Sequence, residues 1–289
     1  MSDDTKKDYE ALEEQYERLH AEYREKRFAV KDKARLELEA LRDEYRINRL
    51  AVEKPLKAEK YRLKVRKKAK NRALNEPPSR SVLEEVGNSV THGVGALIAI
   101  ACLVLMILKA GNGTALAAAI VYGVCFVFQM LFSCLYHAFR RGTTVKRVFR
   151  RFDYSSIYLQ IGGTFAPLFL VYMNDKMWGY PRGIVFFTVQ WALITTGITF
   201  VAVFGPGRIR WLHFTLYFVL GWSGVLFIPY FVRNDLGLLF FILGGGLVYT
   251  LGMIPFAVLR SRKSAHFIWH FFVLLGAVVQ WLGIYLYVL

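Results

Sequence analysis

The sequence predicts an all-α membrane protein. Seven transmembrane helices follow a soluble helical arm, with the N-terminus cytoplasmic and the C-terminus outside. Three observations carry this. The chain has 289 residues, is 55% hydrophobic, and yet carries a net charge of +16. Those facts agree only if charge and apolarity are segregated along it. They are: up to Arg80 nearly every second or third residue is charged, whereas beyond Glu85 charges are scarce and sit in short loops. Finally, the apolar part divides into segments of roughly twenty residues, the length that crosses a hydrocarbon core.

Three segments result: a charged helical extension over 1–54, a polybasic juxtamembrane linker over 55–80, and a membrane domain over 81–289. In the extension, Tyr9, Leu12, Tyr16, Leu19 and Tyr23 alternate steps of three and four. This is the a/d pattern of a coiled coil. The phase slips near Val30 and resumes at Leu38, Leu41 and Tyr45, as a stutter would produce. Two readings stand: a homo-oligomer formed through this helix, or a solvated single helix, since aromatic a positions pack poorly in two-stranded coils. Pro55 interrupts it. The linker carries Lys57, Lys60, Arg62, Lys64, Arg66, Lys67, Lys68, Lys70 and Arg72. Such a run binds anionic lipid headgroups or signals topology, and both place this end inside. No nucleic-acid partner is expected, because no recognised motif accompanies the charge.

The chain starts polar and charged, so no signal peptide is expected. Pro77 and Pro78 break the helix, and Ser81 with Glu84 has capping-box spacing for a new one. Spans are expected at 88–108, 115–137, 153–173, 183–204, 211–231, 237–258 and 266–288. Asn112-Gly113 and Gly205-Pro206-Gly207 mark turns. Gly244-Gly245-Gly246 suggests close helix packing, and Pro229 and Pro255 suggest kinks. Cys102, Cys125 and Cys134 lie in apolar spans and read as buried thiols.

Orientation follows from the loops. The 138–152 connection carries Arg140, Arg141, Lys146, Arg147, Arg150 and Arg151; Arg208 and Arg210 follow in the next turn on that side, then Arg260, Arg262 and Lys263. All lie on the side of the N-terminus when spans are counted. The positive-inside rule makes that side cytoplasmic, the reverse of a G-protein-coupled receptor. The result is an integral, multi-pass protein, expected in the cell's inner (plasma) membrane.

Chemistry gathers at the inner ends of the spans. His266 and His270 are just over one helical turn apart, so both imidazoles project from one face. Phe267 stands where a zinc-protease motif has Glu, so this is not that motif. The second span ends inside at Ser133 and His137, and the third begins inside at Asp153. Three imidazoles leave a fourth position open, as in catalytic Zn²⁺ sites. His137, His266 and His270 are the expected ligands. Asp153 and Ser133 are the expected catalytic pair, Asp153 holding a water or acting as base and Ser133 contacting water or substrate carbonyl. Rival readings remain: Cys134 as a ligand, Asp153 as a cap and counter-charge for Arg150 or Arg151, and Ser133 and the histidines as packing residues. His92 reads as an interfacial or interhelical hydrogen-bond residue, and His213 as a membrane-interface residue.

These residues resemble the hemolysin III and progestin/adipoQ receptor group of seven-span proteins. The matching segments are Glu84 to Gly93, Ser133 to His137, Asp153 to Pro167, and His266 to His270. The likeness covers about residues 82–289. It implies a zinc site near the cytoplasmic face from His137, His266 and His270, with Asp153 and Ser133 close by. It also implies a ceramidase-like lipid amide hydrolase acting in membrane-lipid homeostasis, with ceramide or a fatty acid product as partner. The bacterial branch carries a hemolysin label. Tyr154 replaces an expected His, at a position that is not a ligand in the pattern, and the long N-terminal helix is a departure.

The enzyme reading has a rival of another class: a non-catalytic sensor or receptor with structural zinc, favoured by a closed shell in which Asp153 or Cys134 is the fourth ligand. A pore gains little, since no span carries the charged stripe that lines a channel.

Overall fold

A computed structural model of the chain describes residues 3–53, 55–177, 180–258 and 265–289. Two compact units emerge, Met1–Ala73 and Leu74–Leu289. The basic turn holding Arg260, Arg262 and Lys263 lies outside the described residues.

The first unit contains α1 (Asp3–Glu53) and nearly all of α2 (Pro55–Asn75). Helix α1 is about 76 Å long at 1.5 Å per residue. Ion pairs within it run at helical spacing: Arg18 with Glu14, Lys26 with Glu22, and Arg35 with Asp32 at 3.2 Å. Such pairs each add a few tenths of a kcal/mol, about 0.2–0.5, to a solvated helix. Tyr61 donates to Asp43 at 2.6 Å and Arg72 to Glu39 at 3.0 Å, joining the two helices. Leu12, Tyr16, Leu19 and Tyr23 all stand exposed along α1.

The second unit is a helical bundle: α3 (Val82–Lys109), α4 (Gly113–Ala138), α5 (Thr144–Pro167), α6 (Arg182–Phe204), α7 (Arg210–Gly221), α8 (Ile228–Asn234), α9 (Leu236–Val258) and α10 (Ala265–Tyr287). A two-residue antiparallel pair, Lys176–Met177 with Tyr180–Pro181, bridges the α5–α6 connection. Local chemistry sets the helix ends. The Ser81 hydroxyl accepts from the Glu84 backbone N–H, and the Glu84 carboxylate accepts from the Ser81 backbone N–H, the capping box anticipated from their spacing. Asn112 and Thr143 cap α4 and α5 more simply, their side-chain oxygens accepting from the Ala115 and Lys146 backbone N–H groups. Helix α3 therefore starts six residues ahead of the expected span. Pro167 cannot donate, and the chain widens after it into a π-helical turn over Leu168–Tyr172. A 3₁₀ turn over Trp222–Phe227 separates α7 from α8, so Pro229 opens a helix instead of kinking one.

Among the described residues, six stretches are long and apolar enough to cross a membrane, Arg210–Asn234 counting as one. Only 22 to 50% of each such window is buried. The outward surfaces are apolar, with Leu97, Val203, Phe240 and Phe271 exposed, while Asn88, Gln129, Gln160 and Gln280 are buried. Water would not tolerate that exterior, so it faces lipid, and the chain is an integral multi-pass membrane protein. Helix α5 falls outside this group by composition: its first turns carry Lys146, Arg147, Arg150 and Arg151, and its apolar stretch runs from Tyr154.

Close approach depends on glycine. A Cβ on Gly163 would stand 2.6 Å from the Cys125 Cβ, clamping α5 to α4, and a Cβ on Gly245 would stand 2.9 Å from the Gly276 carbonyl of α10. The triple glycine thus packs as its sequence suggested, through Gly245. Gly163→Ala is expected to destabilise the membrane unit by about 1–3 kcal/mol. Gly244→Ala, which meets only Val279 at 3.9 Å, should be close to neutral. Melting curves of the detergent-solubilised variants check this; equal curves would refute the close-packing account.

Candidate metal centre

Helix α4 ends at Ala138 and α10 begins at Ala265, so their facing termini bring His137 beside His266 and His270. His137 and His270 are buried and His266 is half-buried. The His266 Nε2 stands 3.4 Å from the His137 Nε2 and 2.9 Å from the His270 Nε2. Nitrogens bound to one tetrahedral zinc at 2.0–2.1 Å lie about 3.3–3.4 Å apart. One ligand atom from each residue falls within 4.8 Å of the others.

The outer nitrogens settle the tautomers. His137 Nδ1 is 2.6 Å from Glu85 Oε2. A carboxylate accepts, so Nδ1 carries the proton and Nε2 presents its lone pair to the centre. His270 Nδ1 meets His92 Nε2 in a short contact. With His270 Nε2 turned to the centre as a ligand, its Nδ1–H donates to His92. Both partners come from α3, seven residues apart and on one face. Lys146 Nζ in turn donates to Glu85 Oε1 at 2.8 Å. A carboxylate–histidine pair of this kind orients metal ligands and raises their basicity. Convergent neutral imidazoles with fixed tautomers fit a divalent metal ion.

The other expected site residues assemble on the wall of an adjoining cavity. Ser133 is buried one turn before His137 and stands against the Asp153 carboxylate. Both line the cavity together with His92, His266 and His270. Asp153 stays outside the convergent ligand set. Cys134 faces α3, its Sγ 3.5 Å from the Ser89 hydroxyl, and it too is outside that set. Arg150 donates to the Glu76 carbonyl at 3.1 Å and lies over the Tyr154 ring. The cavity has a volume of about 200 Å³ and runs from the histidines past Ile157, Ile161 and Trp222 to Gln280.

Two readings of the sequence change here. His213 is fully buried, in hydrogen-bond contact with the Tyr158 hydroxyl at 3.0 Å, and so is an interhelical residue. Lys146, read as one loop charge among several, is buried against Glu85. Glu85 and His92 were not expected at the site. Their signal was present: an acidic residue and a histidine seven positions apart on the first apolar helix, where an unpaired polar group is costly.

Fold and site together define a multi-pass helical membrane protein with a buried three-histidine centre able to hold a metal. Residues 80–281 match the family described as Haemolysin-III related. The chain is 34% identical over 212 residues to Hemolysin-3 of Bacillus cereus, covering 72% of this chain and 93% of that one. It is 30% identical over 211 residues to a Hemolysin-3 homolog of Bacillus subtilis (strain 168), covering 72% and 95%. The chain belongs to the haemolysin-III-related family. Residues 1–79 lie outside the family match.

Glu85→Gln is expected to weaken binding of a divalent metal about 10- to 100-fold in chelator competition. Glu84→Gln, which alters only the helix cap, should leave affinity unchanged. Equal losses in the two variants would remove Glu85 from its positioning role.

Proposed function

We propose that this protein is a zinc-dependent hydrolase of a membrane lipid amide, working at the cytoplasmic ends of seven spans, the third formed by α5 and its π-helical turn. The observation that carries the reading is the shared wall: Ser133, Asp153, His266 and His270 line one cavity whose remainder is largely apolar. A closed structural shell would have no use for such a space, whereas an acyl chain fits it.

Zinc, when bound, supplies a Lewis acid and a water activated at neutral pH. The protein's own residues do the rest. Glu85 and His92 hold His137 and His270 in the ligating tautomer. Asp153, held by Ser133, accepts the proton from the attacking water and returns it to the leaving amine. The apolar walls seat the acyl chain so that the carbonyl lies beside Asp153 and excess water is excluded. A ceramide-like amide fits this arrangement, with a fatty acid as product. The basic face of α2 suits anionic headgroups of the cytoplasmic leaflet, and the exposed apolar stripe of α1 suits a second copy of the arm.

Metal content of the detergent-purified full chain tests the centre. About one zinc per chain is expected in the wild type, with none retained by His270→Ala; a metal-free wild type after reconstitution would return the histidines to packing residues. Asp153→Asn should keep its zinc and lose turnover by a factor of about 10² or more. Lipid hydrolysis that survives this substitution would exclude Asp153 as the base.

A further inference from the structure

The cavity is apolar along most of its length, yet its deeper part carries polar groups short of hydrogen-bond partners among the described residues. The Gln160 side chain, 5% exposed, faces the Tyr249 hydroxyl, but neither its oxygen nor its nitrogen closes a hydrogen bond of good geometry among the described residues. The Gln129 side-chain oxygen is unpaired at the same exposure, and the half-buried Tyr249 has only Gln160 near its hydroxyl. All three residues line the cavity. They come from three helices, α4, α5 and α9.

Helix registers place them at one level. Gly163 of α5 abuts Cys125 of α4, and in antiparallel neighbours this sets Gln129 opposite Gln160. Tyr249 touches the level of Gly276 on α10, a Cβ there standing 3.1 Å from its ring. Counting helical rise, Gln129 lies roughly 12 Å from His137, Gln160 roughly 10 Å from Asp153, and Tyr249 roughly 9 Å from the level of His270. The agreement makes this a polar rung across the cavity, about 9–12 Å below the histidines.

An amide or hydroxyl with its hydrogen-bonding capacity unfilled in an apolar surround is costly, and three such groups converging on one space call for an occupant that both donates and accepts. We infer that the rung is a second recognition station for the lipid: it binds a hydroxyl or similar hydrogen-bonding group partway along the chain whose carboxyl or amide end sits at the metal centre. The ligand class is therefore a mid-chain oxygenated acyl lipid. The inference rests on the proposed entry of an acyl chain into this cavity. A buried site that hydrogen-bonds a ligand hydroxyl discriminates strongly against the analogue that lacks it.

The test uses the zinc-loaded full chain in detergent and measures binding of palmitic acid beside a positional series of monohydroxypalmitic acids. One mid-chain hydroxyl position is expected to bind about tenfold or more tighter than palmitic acid, the size of a buried hydrogen bond. Positions near either end should gain nothing. Gln160→Leu with Tyr249→Phe should erase the difference between the hydroxylated and plain chains and keep the zinc. Equal affinity across the wild-type series would overturn the rung as a ligand site and leave it a water site, with the acyl-chain reading intact. A preference that persists in the double variant would place the hydroxyl elsewhere and overturn the assignment. Absence of binding by every chain would sink the acyl-lipid reading itself. Should the double variant fail to fold, the wild-type positional series decides the matter alone.

Discussion

A carboxylate inside a membrane protein must be paired, and Glu85 is paired twice, to Lys146 at 2.8 Å and to His137 at 2.6 Å. Much of the membrane unit's polar organisation follows from that need. Lys146 opens α5 and His137 closes α4, so the first helix of the bundle pins the end of one neighbour and the start of the other. Removing one member of such a group leaves a buried charge without compensation, typically at 3–5 kcal/mol, so the three behave as one unit. The candidate metal centre inherits its geometry from this arrangement, because His137 is both a member of the charge group and a member of the histidine cluster.

The same logic orders the rest of the interior. Lipid offers no hydrogen bonds, so polar side chains turn inward and apolar ones outward, the inverse of a water-soluble domain. Without a strong hydrophobic drive between helices, contact depends on shape, and glycines at Gly163, Gly245 and Gly276 let backbones approach where a side chain would hold them apart. Where the helices do not close, a cavity remains beside the histidines. Its placement sets a largely apolar space directly beside the metal-capable cluster.

Much of this was legible in the sequence, because it depends on short-range patterns. The spacing of His266 and His270 places them on one helix face whatever surrounds the helix. Ser81 and Glu84 announce their cap by separation alone. Counting spans put His137, Asp153 and the histidine pair at one level. The role of Glu85 was not legible, since a glutamate at the start of an apolar helix looks the same whether it caps, faces headgroups, or holds a ligand. His213 was misread for the same reason: periodicity assigns a face, but only the neighbour, Tyr158, says whether that face is buried.

The sequence by itself determined the membrane class, the segregated basic arm and the identity of the convergent histidines, because length, charge segregation and helical periodicity are properties of single segments. Tertiary structure alone decided which helix stands beside which. Placing α3 against both α4 and α10 supplied Glu85 and His92 as partners, oriented the ligating nitrogens and gathered Gln129, Gln160 and Tyr249 around one space. Lateral order in a bundle is set by the summed shape and pairing of many side chains from distant parts of the chain, and no local pattern encodes it.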